Sequence, residues 1–308
     1  MHAVACQEDK YEKTLYFCAS YRYNADMRAL LFLRKDPLGA ALIIYLFAVG
    51  LTGLPCEQVG RLFADDPRIA TIAGMAVCRA VSAVVMLFFC IQLGLFDAPR
   101  PAGARSLRAA LPALLVALNN APVIALISGT AAVTAQASAV VLFAFECVAV
   151  AAFEEVAFRA ILFPLMLQRF GTGARARFSA VLLSSALFGL THLLNLFSGA
   201  AVGATALQVG YSFLIGCMLA VVYLHTGSLA GCILLHAVYN FGGMLVPTLG
   251  QGAFLDIWNL PTVLITAVLA VFAIVFYLRL LLREDALRAG SLCSLTAEQR
   301  FALRRIHV

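Results

Sequence analysis

Charge is scarce in this sequence. Asp, Glu, Lys and Arg make up 12% of its 308 residues, 63% are hydrophobic, and the mean hydropathy is +0.93. An ordinary soluble protein carries about 25% charged residues, so a soluble globular domain is excluded. Also missing is the ten-residue apolar/polar alternation that marks an outer-membrane barrel. No Cys-x-x-Cys and no His-Glu-x-x-His occurs. The nine cysteines (Cys6, Cys18, Cys56, Cys78, Cys90, Cys147, Cys217, Cys232 and Cys293) are scattered singly. Neither a thiolate zinc cluster nor a disulfide framework is therefore expected, and the cysteines read as small core residues. Residues 1–36 lack an apolar stretch followed by a small-residue cleavage motif, so no signal peptide is expected there. What the chain does contain is a series of charge-free apolar runs of the length a helix needs to cross a bilayer. The expected fold class is all-α, a polytopic membrane helical bundle, with the protein an integral multi-pass component of the bilayer and, in a bacterium, of the inner membrane.

Apolar runs bounded by charge, Pro or Gly give eight candidate spans: 38–55, 70–96, 109–128, 132–158, 178–197, 203–224, 229–247 and 260–278. The formal net charge of +6 would suggest nucleic acid in a soluble domain, but here the basic residues lie between the apolar runs, where they set topology. With both termini cytoplasmic, all but four of the 22 lysines and arginines fall inside; the exceptions are Arg61 and Arg68 in outer loops and Arg79 and Arg159 within spans. That asymmetry follows the positive-inside rule. The organisation expected is a cytoplasmic N-terminal segment (1–37), three front spans (38–128), a four-span core (129–247), and a last span with a cytoplasmic tail (248–308). Asp97-Ala98-Pro99-Arg100-Pro101 with Gly103 reads as a cytoplasmic linker.

Against this background the run Phe153-Glu154-Glu155-Val156-Ala157-Phe158-Arg159 stands out. An ionised side chain within a span costs roughly 2.5–3.5 kcal/mol on the mildest insertion scale, so it is retained where it pairs, lines a wet cavity or reacts. Glu154 and Glu155 lie about 100° apart on a helix and cannot share a face, whereas Arg159 is one turn beyond Glu155 and can pair with it. Glu154 is left without a partner on its own helix. Further polar residues follow in later spans: His192, and His236 with Asn240, whose spacing of four puts both on one helix face. An antiparallel pair of helices sharing the Gly171–Gly173 turn brings Glu154 and His192 level, roughly 28 Å from that turn, while His236 is only roughly 14 Å from Gly227. The levels agree only if the Gly171–Gly173 turn projects well beyond the membrane surface. Arg79 is expected to pair with a carboxylate such as Glu146 or to snorkel, and His2, His225 and His307 carry no expected role.

The succession EExxxR (Glu154, Glu155, Arg159), FxxxH (Phe188, His192) and HxxxN (His236, Asn240) resembles the CAAX prenyl protease and bacteriocin-processing family of intramembrane endopeptidases, also called Abi proteins. The resemblance spans about residues 130–247. A glycine commonly follows the arginine in that family, and here the residue is Ala160. What the resemblance implies is hydrolysis of a peptide bond near the cytoplasmic membrane face. Glu154 and His192 would activate water, Glu155 and Arg159 would support the site, and His236 and Asn240 would stabilise the oxyanion.

These roles are chemically coherent: desolvation strengthens a carboxylate as a base, and preorganised donors stabilise a developing oxyanion. No cofactor is favoured. The competing arrangement is a zinc ion held by Glu154, His192 and His236, which would have to converge from three spans. The expected partners are the lipid bilayer and a membrane-associated peptide or protein substrate, lipidated or not, with no nucleic acid. The rival class is a non-catalytic immunity factor or a transporter in which the same buried groups hold helices together. A midplane helix break and an inverted repeat would favour a transporter, and neither is evident in the sequence.

Overall fold

The computed structural model describes residues 36–95, 104–171, 173–252 and 260–283. The N-terminal segment, the 97–103 linker and the C-terminal tail, including Cys6, Cys18, Cys293, His2 and His307, lie outside the described residues. The helices are α1 (Pro37–Thr52), α2 (Cys56–Gly60), α3 (Pro67–Gln92), α4 (Ala104–Asn119), α5 (Val123–Ser128), α6 (Ala137–Glu155), α7 (Phe163–Phe170), α8 (Ala174–Thr191), α9 (Val202–Thr226), α10 (Leu229–Leu249) and α11 (Leu260–Arg283). A π-helical stretch, Val156–Leu162, joins α6 to α7, and a 3₁₀ stretch, His192–Ser198, extends α8. Among the described residues, seven helical segments are long and apolar enough to cross a membrane. The all-α multi-pass architecture is thus as expected, with a two-stranded antiparallel ribbon added, β1 (Ala131–Val133) on β2 (Gly250–Gly252).

The first expected span is shorter than its apolar run. α1 has 16 residues, about 24 Å of helix against a hydrocarbon core of about 30 Å. Its end is held inside the protein: Arg79 of α3 donates to the carbonyls of Leu51 and Thr52 at 2.9 and 3.1 Å. The guanidinium therefore satisfies orphan carbonyls at a helix C-terminus, where the helix dipole favours a cation. It also lies over the Phe153 ring and within electrostatic range of Glu146. The expectation that Arg79 pairs chiefly with a carboxylate is corrected to this extent.

Local sequence explains how the core helices start and stop. Asp66 caps α3 by accepting from the amides of Arg68 and Ile69, with Pro67 at the first helical position. Between α9 and α10, Gly227 adopts φ +65°, and Ser228 accepts from the Gly231 amide, so the two helices reverse in a minimal turn. The π stretch has a cause in Pro164, which supplies no amide to Ala160 four residues earlier and would crowd its carbonyl. The widened turn relieves that conflict, and the Cys90 thiol takes up the Ala160 carbonyl at 3.6 Å. Together α6, the π stretch and α7 form a 34-residue helix, roughly 50 Å long, which exceeds the hydrocarbon core by about 20 Å.

α6 packs between α3 and α10, α9 lies along α8, and α4 rests against α10 and α11. The third expected span is broken at Asn119–Pro122. There the Asn120 amide donates to the Tyr239 carbonyl at 2.8 Å, and Asn119 donates to the Thr266 hydroxyl at 3.0 Å. Gly242 and Gly243 of α10 form the notch that receives this break. A Cβ on Gly243 would collide with the Asn120 amide, and one on Gly242 would come within 3.0 Å of the Ala121 backbone.

Candidate active site

Glu155 is the last residue of α6 and is fully buried, as are Arg159 in the π stretch and His236 on α10. Glu155 Oε1 lies 2.9 Å from Arg159 Nη1 and accepts from His236 Nδ1 at 2.7 Å. The ion pair anticipated from the four-residue spacing is thus formed, and both contacts fall on one carboxylate oxygen. The other nitrogen of the same imidazole, Nε2, faces Glu154 Oε2 at 3.4 Å. Glu154 retains 20% side-chain exposure where Glu155 has none. Glu154 is therefore not without a partner, as its helix alone suggested; its partner comes from α10. His236 fits between two consecutive glutamates because they leave the helix in different directions and its two nitrogens lie on opposite sides of one ring.

Phe188 ties the remaining parts together. Its ring lies under the Arg159 guanidinium at 4.5 Å and meets the rings of Phe158, His192 and His236 edge-on at 5.0, 5.2 and 5.8 Å. Arg159 and Phe188 are nearly equidistant along the chain from Gly173, so the hairpin register brings them level. The sequence motif contained Phe188 but gave no hint of its place as the shared wall of two histidines and an arginine. Asn240 is half-buried, one turn beyond His236 on α10.

His192 sits where α8 tightens into the 3₁₀ stretch. Its backbone amide bonds to the Gly189 and Leu190 carbonyls, and its Nδ1 lies 3.1 Å from the Phe188 carbonyl, which the tightened turn leaves available. Since a carbonyl only accepts, Nδ1 carries the proton, and in the neutral ring Nε2 is an acceptor. Structure thus joins Glu154, Glu155, Arg159 and His236 by polar contacts, and His192 through the Phe188 ring.

Among the described residues, no group of three His, Cys, Asp or Glu side chains is placed to hold a metal ion. Glu154, His192 and His236, the set expected for a zinc ion, are not grouped in this way.

Taken together, helices and site define a multi-pass membrane protein with a buried, charged constellation shared by α6, α8 and α10. A family model described as type II CAAX prenyl endopeptidase Rce1-like matches residues 136–242, from the start of α6 to two thirds of the way along α10. Over that part of the chain, about a third of its length, the sequence is similar to type II CAAX prenyl endopeptidases, in line with the motif resemblance. No curated protein and no solved structure gave a match.

Proposed function

We propose that this protein is an intramembrane endopeptidase that hydrolyses a peptide bond of a membrane-associated, lipidated substrate near the cytoplasmic membrane face. The observation that carries the reading is the placement of His236 between Glu154 and Glu155. Glu154 is the partly exposed member of the cluster, so it is the carboxylate that can reach water. Water held by Glu154 and by His192 Nε2 attacks the scissile carbonyl as Glu154 takes its proton. His236, facing a carboxylate with each nitrogen, donates from both, which balances Glu154, Glu155 and Arg159 to a neutral cluster. Once Glu154 is protonated, its hold on the Nε2 proton weakens and that N–H becomes available to the oxyanion, beside the Asn240 amide. The donor strengthens as the charge it stabilises develops, which is what transition-state stabilisation requires. Glu154 then returns the proton to the leaving amine.

The chemistry is tested on purified, reconstituted protein with a farnesylated CAAX peptide as probe. Activity is expected to survive chelator, with zinc far below one per chain by elemental analysis. One tightly held zinc per chain, required for cleavage, would overturn the glutamate/histidine mechanism while leaving a peptidase.

Both termini are proposed to be cytoplasmic, on the charge asymmetry of the loops. Single cysteines at Ala174 and Gln251, both exposed, read this out. The neighbouring Gly252 is unsuitable, because its φ is +112° and a Cβ there would strike the Thr130 carbonyl. Position 174 is expected to react only from the cytoplasm and position 251 only from outside; labelling of both from one side would refute the topology.

A further inference from the structure

Outside the motif residues, α9 presents two polar side chains one turn apart, Gln208 and Ser212, to the 3₁₀ stretch that begins at His192. Gln208 Oε1 accepts from the Asn195 amide at 2.7 Å, and Ser212 Oγ lies 3.5 Å from His192 Nε2. The two contacts are in register, since residues three apart on a 3₁₀ helix and four apart on an α-helix each lie on one face. Ser212 is buried, so its hydroxyl has little water to turn to. The Nδ1 proton of His192 is committed to the Phe188 carbonyl, which leaves Nε2 as an acceptor and makes the serine hydroxyl its natural donor.

We infer that Ser212 is a positioning residue for His192. Its hydroxyl donates to Nε2 in the resting enzyme, holds the imidazole in the Nδ1–H tautomer, and hands the single Nε2 lone pair, already aimed, to the attacking water when that water binds. The Gln208–Asn195 pair clamps the 3₁₀ stretch to α9 so that this alignment persists. The inference rests on the peptidase reading for its catalytic consequence, but its structural content stands apart from it. The same geometry offers a sharper alternative, a Ser–His dyad in which Ser212 is the nucleophile, so the test must separate the two.

Ser212→Ala and Ser212→Cys would be assayed on the farnesylated peptide, with thermal stability measured in parallel. Positioning predicts that Ser212→Ala lowers kcat by roughly 3- to 100-fold, the kinetic equivalent of one hydrogen bond to a neutral or charged group, with KM nearly unchanged. The weakly donating cysteine should fall between alanine and wild type. An unchanged kcat, or a raised KM alone, would overturn the inference. Loss of all turnover in a variant that melts like wild type would overturn it in favour of a serine nucleophile. The ¹⁵N resonance of His192 Nε2 supplies a readout that needs no substrate. It is expected to move towards the value of a free acceptor nitrogen in Ser212→Ala, and no movement would refute the contact. If wild type cleaves no probe yet the resonance moves, the peptidase reading fails and the Ser212–His192 contact stands.

Discussion

Glu154→Gln is expected to lower peptide hydrolysis by about 10²–10⁴-fold, the range for losing a positioned acid–base group, while abundance and melting temperature stay close to wild type. The substitution keeps the shape of the side chain and an oxygen that can face His236 Nε2, now 3.4 Å from the carboxylate. What it removes is the ability to accept a proton from water. Because Glu154 is the partly exposed carboxylate of the pair and glutamine keeps an acceptor for His236, the substitution leaves no buried group without a partner. Near wild-type cleavage by purified Glu154→Gln would remove this residue from the chemistry altogether. A variant that neither cleaves nor accumulates would show that its role is structural.

Arg159→Leu should behave in the opposite manner, destabilising the protein by about 3–5 kcal/mol, the usual consequence of removing one partner from a buried ion pair. Glu155 and Arg159 are both essentially inaccessible, at 0% and 2% of their side-chain surface. Leucine would leave the Glu155 carboxylate with only the His236 Nδ1 proton and would also abolish the cation–π contact with Phe188. Activity should fall together with stability, because the Phe188 ring that Arg159 covers also walls both histidines. Measured unfolding or detergent half-life equal to wild type would mean that the buried pair contributes nothing, and the account of the cluster would be wrong.

How far the site could be read in advance depends on how local each relation is. The Glu155–Arg159 pair follows from helical spacing alone and survives even though the helix loosens into a π turn between them. The multi-pass fold follows from charge-free run length. The contact of Glu154 with His236 was not legible, because it depends on the packing of α10 against α6, and spacing within one chain segment carries no information about that. The same holds for Arg79: its composition as a lone cation in an apolar span suggested a carboxylate, whereas backbone carbonyls at the end of α1 offered partners that no residue type advertises. The π turn had a visible cause in Pro164, yet a proline after a glutamate-rich run reads equally as a kink or a stop. Ser212 and Gln208 were hidden for a different reason. They are ordinary polar residues on an apolar helix, and only the change to a 3₁₀ rise at His192 brings them into register with anything.

The notch at Gly242 and Gly243 bears on what counts as an autonomous unit here. Residues 136–242 are the segment that matches the family model, and they end inside this notch. A fragment cut to those boundaries would lose Asn120 and Ala121 and would end at Gly242, removing Gly243 and the last turns of the helix that carries His236 and Asn240. The Tyr239 carbonyl, one residue away from Asn240, would lose the Asn120 amide that donates to it at 2.8 Å. The segment that matches the family model is therefore shorter than the set of helices packed around it. Asn120 and Ala121, which lie before the matched segment, are thus part of the packing of the helix that carries His236 and Asn240.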